Sequence, residues 1–212
     1  MDTANDFRIK LAEKGLKELE KLIQNVKVQR RKDLLIKIKE MSSLIQTLKY
    51  SYVSPEEIKE FDEFKKLVNE AKSIRKAINS AEKDFNTIQA DYWLEYIEGL
   101  PKLMDRGEID SPCLAVRFFI GDIVNRCEIA KDKLWLCLLD CGFRLEVVTN
   151  SSEFTTGKRA VVVYLPPRKF GDFISRGMFV SLAENEEKGE IDAETIKKYC
   201  KNAEATILSL FE

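Results

Sequence analysis

Apolar positions along the first half of the chain recur with a helical period. Leu16, Leu19, Ile23 and Val26 fall on one stripe, and Ile38, Met41, Ile45 and Leu48 repeat it further on. This is the spacing of an amphipathic helix with one buried face. No proline occurs here, and no glycine after Gly15, so helix is expected from about Asp6 to Lys49. The basic run that starts at Lys27 is where it would slip or break. Ser54-Pro55-Glu56-Glu57 then puts serine at an N-cap, proline at N1 and glutamate at N3, a strong helix start. Phe64, Val68, Ala71, Ile74, Ile78, Ala81, Phe85 and Ile88 follow in a near-heptad. The pattern predicts a long antiparallel, coiled-coil-like helical hairpin over residues 1–100. Arms of about 40 residues would extend on the order of 60 Å.

Gly99, Pro101, Gly107 and Pro112 interrupt the periodicity, and 101–112 reads as a linker. From 113 to 184 the pattern is β. A strand around Gly121 is expected to bulge or bend there. Lys133 to Asp140 alternates, Cys141-Gly142 marks a tight turn, and Phe143 to Thr149 returns. Asn150 to Gly157 is a polar connection with room for a short helix. The run Val161 to Leu165 stops at Pro166-Pro167, which cannot donate ladder hydrogen bonds, and Arg176 to Ala183 forms the last strand. About five strands with one helical connector describe an OB-fold β-barrel. Residues 185–212 form a C-terminal extension: an acidic loop, then a helix from Asp192 to about Leu210. The fold class is therefore α+β.

Composition narrows the chemistry. Histidine is absent, which removes the commonest general base and metal ligand. The five cysteines contain no Cys-x-x-Cys pair and read as small core residues, so no metal and no cofactor is expected. No Gly-rich phosphate loop appears, and the expectation is a non-enzyme. The net charge of -1 restricts any nucleic-acid site to a local patch. No run is long enough to span a bilayer and the N-terminus lacks a secretory signal, so a cytoplasmic protein is expected.

Three blocks carry a resemblance over 116–183. They are Phe118-Phe-Ile-Gly121-Asp-Ile; Asp132-Lys-Leu-Trp-Leu-Cys-Leu-Leu-Asp140-Cys-Gly142; and Leu165-Pro-Pro-Arg-Lys-Phe170 with Ser175-Arg-Gly-Met178. Together they resemble the tRNA-binding OB-fold domain of the endothelial monocyte-activating polypeptide II type, which is appended to synthetases or free-standing. Phe119, Pro166 and Gly171-Asp172 depart from that pattern.

The resemblance implies non-catalytic RNA binding, with tRNA as partner. Lys131, Lys133, Arg144, Arg168, Lys169 and Arg176 would meet phosphates, on a cationic groove of the kind OB-folds use. Trp135, Asn150, Ser175 and Met178 would meet bases or ribose. Arg168 and Lys169 are expected on a loop pre-shaped by the proline pair. The helical region would serve homodimerisation or an aminoacyl-tRNA synthetase or other protein partner. Lys27, Arg30, Arg31, Lys32, Lys37 and Lys39 against Asp33 alone form either a second RNA surface or a solvated helix face. The alternative function is a chaperone or assembly factor that binds protein.

Overall fold

A computed structural model describes every residue except Asp132, Glu184 and Asn185. The expected boundary at 184/185 and the first residue of the Asp-Lys-Leu block therefore lie outside the described residues. The chain divides into two compact units, Met1–Ala115 with Leu210–Glu212, and Val116–Ser209.

In the first unit the first expected long helix is broken in two and the second, which starts at the Ser54 cap, in three. Helices α1 (Phe7–Asn25) and α2 (Arg31–Lys49) replace the first, and α3 (Pro55–Glu60), α4 (Asp62–Ile78) and α5 (Phe85–Glu98) the second. Between α1 and α2, Val26 is extended and Arg30 takes φ 54 in the left-handed region. Lys27, Arg30 and Arg31 would repel one another at helical i,i+3 and i,i+4 spacing, which disfavours continuing the helix. Between α4 and α5, Asn79-Ser80 are poor helix formers, and Asp84 caps the new helix by accepting from the Thr87 N–H at 2.8 Å. The short α3 starts as expected. Ser54 Oγ accepts from the Glu57 N–H at 3.2 Å, and Glu57 Oε2 accepts from the Ser54 N–H at 2.9 Å.

The expected hairpin is thus replaced by a bundle in which α1 packs on α2 and α5, and α4 packs on α2 and α5. Ile9, Leu16, Leu19, Ile23, Ile38, Met41, Ile45, Phe64, Leu67, Ile74, Leu94 and Ile97 form its core. Gly15 lets α1 approach α5 closely, since a Cβ there would lie 2.6 Å from the Trp93 ring.

The expected linker is folded into this unit. Leu100–Met104 forms α6 with Pro101 in its first turn, and Leu100, Leu103 and Met104 are buried at helical spacing. Arg8, fully buried, reaches it. The guanidinium pairs with Asp6 (Nη2 to Oδ2 2.7 Å) and donates from Nη1 to the Leu103 carbonyl at 2.8 Å. Tyr96 Oη donates to the Ala115 carbonyl at 2.9 Å, after a 3-10 turn at Pro112–Ala115. Burial pushes the Tyr96 phenol well above its ordinary range.

The second unit is an antiparallel sheet of β1 (Arg117–Ala130), β2 (Leu134–Asp140), β3 (Arg144–Thr149), β4 (Arg159–Phe170) and β5 (Phe173–Leu182). Its order is β3-β2-β1-β4-β5, with the short β6 (Gly189–Glu190) also on β1. No backbone ladder joins β3 to β5 among the described residues, but the Val148 N–H donates to Ser175 Oγ at 3.0 Å across that gap.

Three local expectations change. Gly121 pairs in regular register with Ala160, and the irregularities fall later, at Ile123/Asn125 and Glu128/Ala130. The glycine instead makes room for Cys141, whose Sγ would lie 2.4 Å from a Cβ there. The 150–158 connection holds no helix; Phe154 folds inward and stacks on Phe179 at 4.1 Å. β4 runs through the prolines: the register passes from Tyr164↔Gly177 to Arg168↔Ser175, so Pro166 and Pro167 sit in a bulge that asks no N–H of them.

The C-terminal segment starts at Asp192, which accepts from the Thr195 N–H at 2.8 Å. It divides into α7 (Ala193–Cys200) and α8 (Glu204–Leu208) instead of one helix. No helix among the described residues is long and apolar enough to cross a membrane.

Candidate nucleic-acid interface

Arg168 and Lys169 lie on strand rather than loop. β4 and β5 form a hairpin whose register pairs Arg168 with Ser175, Lys169 with Ile174, and Phe170 with Phe173. Gly171 turns the chain at φ 62, in the left-handed region that glycine tolerates. Side chains alternate along a strand and cross-strand partners share a face. Arg168, Phe170, Phe173 and Ser175 therefore share one face, and Lys169 with Ile174 takes the other. A cavity of about 190 Å³ opens on the first face, lined by Leu165, Pro166, Arg168, Phe170 and Met178, with Val148, Ser175, Gly177 and Thr206 completing it. Arg168 is exposed and pairs with no carboxylate among the described residues.

The other members of the expected set divide. Ser175 is 4% exposed, and its hydroxyl is fully used: Oγ accepts from Val148 and donates to the Gly177 carbonyl at 2.9 Å. It stitches β3 to β5. Met178 lines the cavity, and its Sδ accepts from Thr206 Oγ1 of α8 at 3.5 Å. Arg176 turns away from the cavity towards Tyr164. There Nη2 donates to the Tyr164 hydroxyl at 2.7 Å, and the guanidinium lies 5.6 Å from the Tyr164 ring centroid. Tyr164 packs edge-on to Phe119 and Phe143, so Arg176 belongs to an aromatic cluster apart from the cavity.

Lys131 and Lys133 are exposed at the β1–β2 turn. Trp135 is half-buried on the face of β2 that carries the buried Cys137 and Leu139, and the Arg126 guanidinium stacks over it at 4.3 Å. It pairs with Thr149, and the exposed Asn150 follows. Asn150 lies two residues beyond Val148, which places this group beside the cavity end of β3. Arg144, exposed, starts β3 opposite Asp140 at the far end of that strand. The structure thus gathers Arg168, Ser175 and Met178 around one cavity. It sets Lys131, Lys133, Trp135 and Asn150 at the adjoining strand ends, and separates Arg176 and Arg144.

Phe170 and Phe173 were not among the residues singled out from sequence. Their alternation with Arg168 was available as a signal, but only once β4 was known to continue past the prolines.

Of the free cysteines Cys127 is exposed, against the expectation of a core residue, while Cys137 and Cys141 are buried. Burial pushes the Cys137 thiol up to about 11 and the Cys141 thiol up to about 12, so neither supplies a thiolate near neutrality. Among the described residues no group of three or more Cys, Asp or Glu is placed to hold a metal ion.

In the helical unit the basic run is largely paired. Lys27 meets Glu82 at 3.0 Å, Arg30 meets Asp33 at 2.7 Å, Lys37 meets Glu70 at 2.7 Å and Lys39 meets Glu20 at 4.0 Å.

The family model described as "Alpha helical domain" matches residues 1–107. The match covers the helices α1 to α6. No curated protein matches the chain.

Proposed function

The chain belongs to the Alpha helical domain family, a membership carried by its first unit, and we propose that its activity resides in the second, as non-catalytic RNA binding with tRNA as ligand. We read the sheet of β1 to β5 as an OB-type barrel of the kind its three sequence blocks resemble, the Val148–Ser175 hydrogen bond being its point of closure. One observation carries the reading. An exposed Arg168, with no carboxylate partner among the described residues, stands beside Phe170 and Met178 at a cavity of about 190 Å³, and Phe173 pairs with Phe170 across the hairpin. A cation for phosphate next to aromatic faces for bases is how OB-folds take single-stranded nucleic acid. Lys169 on the opposite edge of the same hairpin, and Lys131 and Lys133 at the β1–β2 turn, would extend the contact along the backbone. The helices then serve a protein partner or a second copy of the chain.

The test is tRNA binding by the full chain as a function of salt, with Arg168→Ala/Lys169→Ala alongside. Counterion release predicts a steep salt dependence, lessened by about 1–2 in log–log slope in the double variant. Salt-independent binding, or binding equal in both proteins, would sink the reading. Salt-insensitive capture of unfolded protein in its place would support a chaperone.

A further inference from the structure

The helical unit carries a second concentration of charge that the RNA reading of the sheet does not use. Residues 26–39 and 72–84 hold ten cations against Asp33, Glu82 and Asp84, in a chain of net charge -1. The fold brings both stretches to one end of the bundle. Lys27 of the α1–α2 connection meets Glu82 of the α4–α5 connection at 3.0 Å. A groove of about 690 Å³ is lined by Lys27, Gln29, Arg30, Asp33 and Lys37 on one side and by Ser73, Ala77 and Ser80 of α4 and its end on the other, with Arg31 and Lys32 beside it at the start of α2. A second groove, of about 480 Å³, lies on the other flank of α4 and is lined by Lys72, Lys76, Asn79 and Lys83, with Arg75 and its partners Asp91 and Glu98 completing it.

Half of these cations are not accounted for by ion pairs. Lys27, Arg30, Lys37 and Lys39 meet Glu82, Asp33, Glu70 and Glu20. Arg75 is paired too, with Asp91, Glu95 and Glu98 around its guanidinium at 2.8, 3.4 and 3.1 Å. Arg31, Lys32, Lys72, Lys76 and Lys83 are exposed, and none pairs with a carboxylate among the described residues. Arg31 and Lys32 also occupy the first turn of α2, the positive end of its dipole, where a cation destabilises the helix. Arg31 offsets this in part by donating to the Gln24 carbonyl in the last turn of α1 at 2.9 Å, whereas Lys32 makes no such contact among the described residues.

The neighbours of these cations identify the partner class. Gln29, Ser73, Asn79 and Ser80 supply neutral hydrogen-bonding groups, and no aromatic side chain lines either groove. Protein interfaces centre on buried aromatic and apolar anchors. Phosphate backbones are gripped by Lys and Arg together with Ser, Asn and Gln. We infer that this end of the helical unit, on both flanks of α4, is an interface for a nucleic-acid phosphate backbone, bound without base readout. The interface stands independently of the cavity in the second unit.

The experiment uses the full chain and a 20-base-pair RNA duplex, titrated across a range of salt. The variants are Lys32→Ala/Lys76→Ala/Lys83→Ala, Glu82→Gln, and separately Arg168→Ala/Lys169→Ala. The triple variant is expected to lose roughly tenfold in affinity at low salt and about 2–3 in the log–log slope, since each phosphate contact contributes about 0.9. Glu82→Gln, which releases Lys27, is expected to tighten binding about two- to fivefold, a gain that no folding defect can produce. Unchanged duplex binding in both helical variants overturns the inference. Equal binding of a polyglutamate of matched charge overturns the assignment to nucleic acid. Loss in the Arg168/Lys169 variant alone overturns this surface and leaves the sheet reading standing, whereas loss in the helical triple variant alone does the reverse.

Discussion

Gly15 on α1 lies directly beneath the indole of Trp93 on α5, so close that a Cβ would stand 2.6 Å from the ring. Alanine at this position gains helix propensity of about 1 kcal/mol but forces the ring, which is boxed in by Tyr92 and Tyr96, to move. Overpacking of this kind costs about 1–3 kcal/mol. Gly15→Ala is expected to lower the melting temperature of the helical unit and to shift the Trp93 fluorescence. An unchanged melt would mean that the helices separate at no cost.

Arg8 and Asp6 form a buried pair that also holds the Leu103 carbonyl. Removing one charge of such a pair leaves the other uncompensated, at about 3–5 kcal/mol. Arg8→Met is accordingly expected to destabilise far more than any exposed Lys→Met change in the same unit. Denaturant unfolding followed by helical circular dichroism is the measurement.

Glu13 gives the helical unit an acid limb. Partial burial works against its charge, but hydrogen bonds from Lys49, Lys17 and Gln46 outweigh this and hold its pKa down to about 2. A carboxyl depressed in the folded state stabilises at pH values above its ordinary pKa. That contribution is lost as the pH falls from about 5 towards 2. Allowing for solvent screening it is on the order of 1–2 kcal/mol. Glu13→Gln is expected to lower stability at pH 7 and leave it little changed at pH 2; equal destabilisation at both would contradict the charge argument.

Ser175 and Phe173 are expected to fail in different ways. Ser175→Ala leaves the Val148 N–H without its acceptor at the β3–β5 gap, at about 1–2 kcal/mol, and should speed hydrogen exchange of that amide. Phe173→Ala removes an exposed ring from the hairpin. It should weaken RNA binding by about 1–2 kcal/mol with stability and salt slope unchanged. The reverse pattern, with Ser175→Ala affecting only RNA affinity, would restore the serine as a ligand contact.

Local signals in the sequence were readable where one short stretch decides the outcome. The Ser54–Glu57 capping box, the Asp192 cap and the turn at Cys141-Gly142 are all where residue chemistry places them, with Gly142 at φ 89 and its N–H donating to Asp140 Oδ1. The apolar stripes were also legible, but their partners were not. A stripe reports that a face is buried, and only three-dimensional packing decided that five shorter helices rather than two long ones would cover it.

The site was legible as a motif and illegible as a surface. Arg168, Ser175 and Met178 do come together. Arg176 and Met178 stand two residues apart on β5, yet only Met178 lines the cavity, and Phe170 reaches it through a bulge at Pro166-Pro167 that shifts the register. Neither follows from residue identity alone.

The register of β1 has a consequence for how the protein is made. The bundle takes little from beyond Ala115: its contacts run between neighbouring helices, the Arg8 and Tyr96 bonds close on residues 103 and 115, and only Leu210–Glu212, with Phe211 edge-on to Phe7, joins from later in the chain. β1 instead pairs Arg117 with Tyr164 and Gly121 with Ala160, partners some forty residues later in the chain. At ribosomal speeds of about 5–20 residues per second, Phe118-Phe-Ile emerges and waits several seconds for its neighbour, while the helices behind it have already folded. The interval between synthesis of β1 and of β4 is when this unpaired apolar strand is exposed to aggregation.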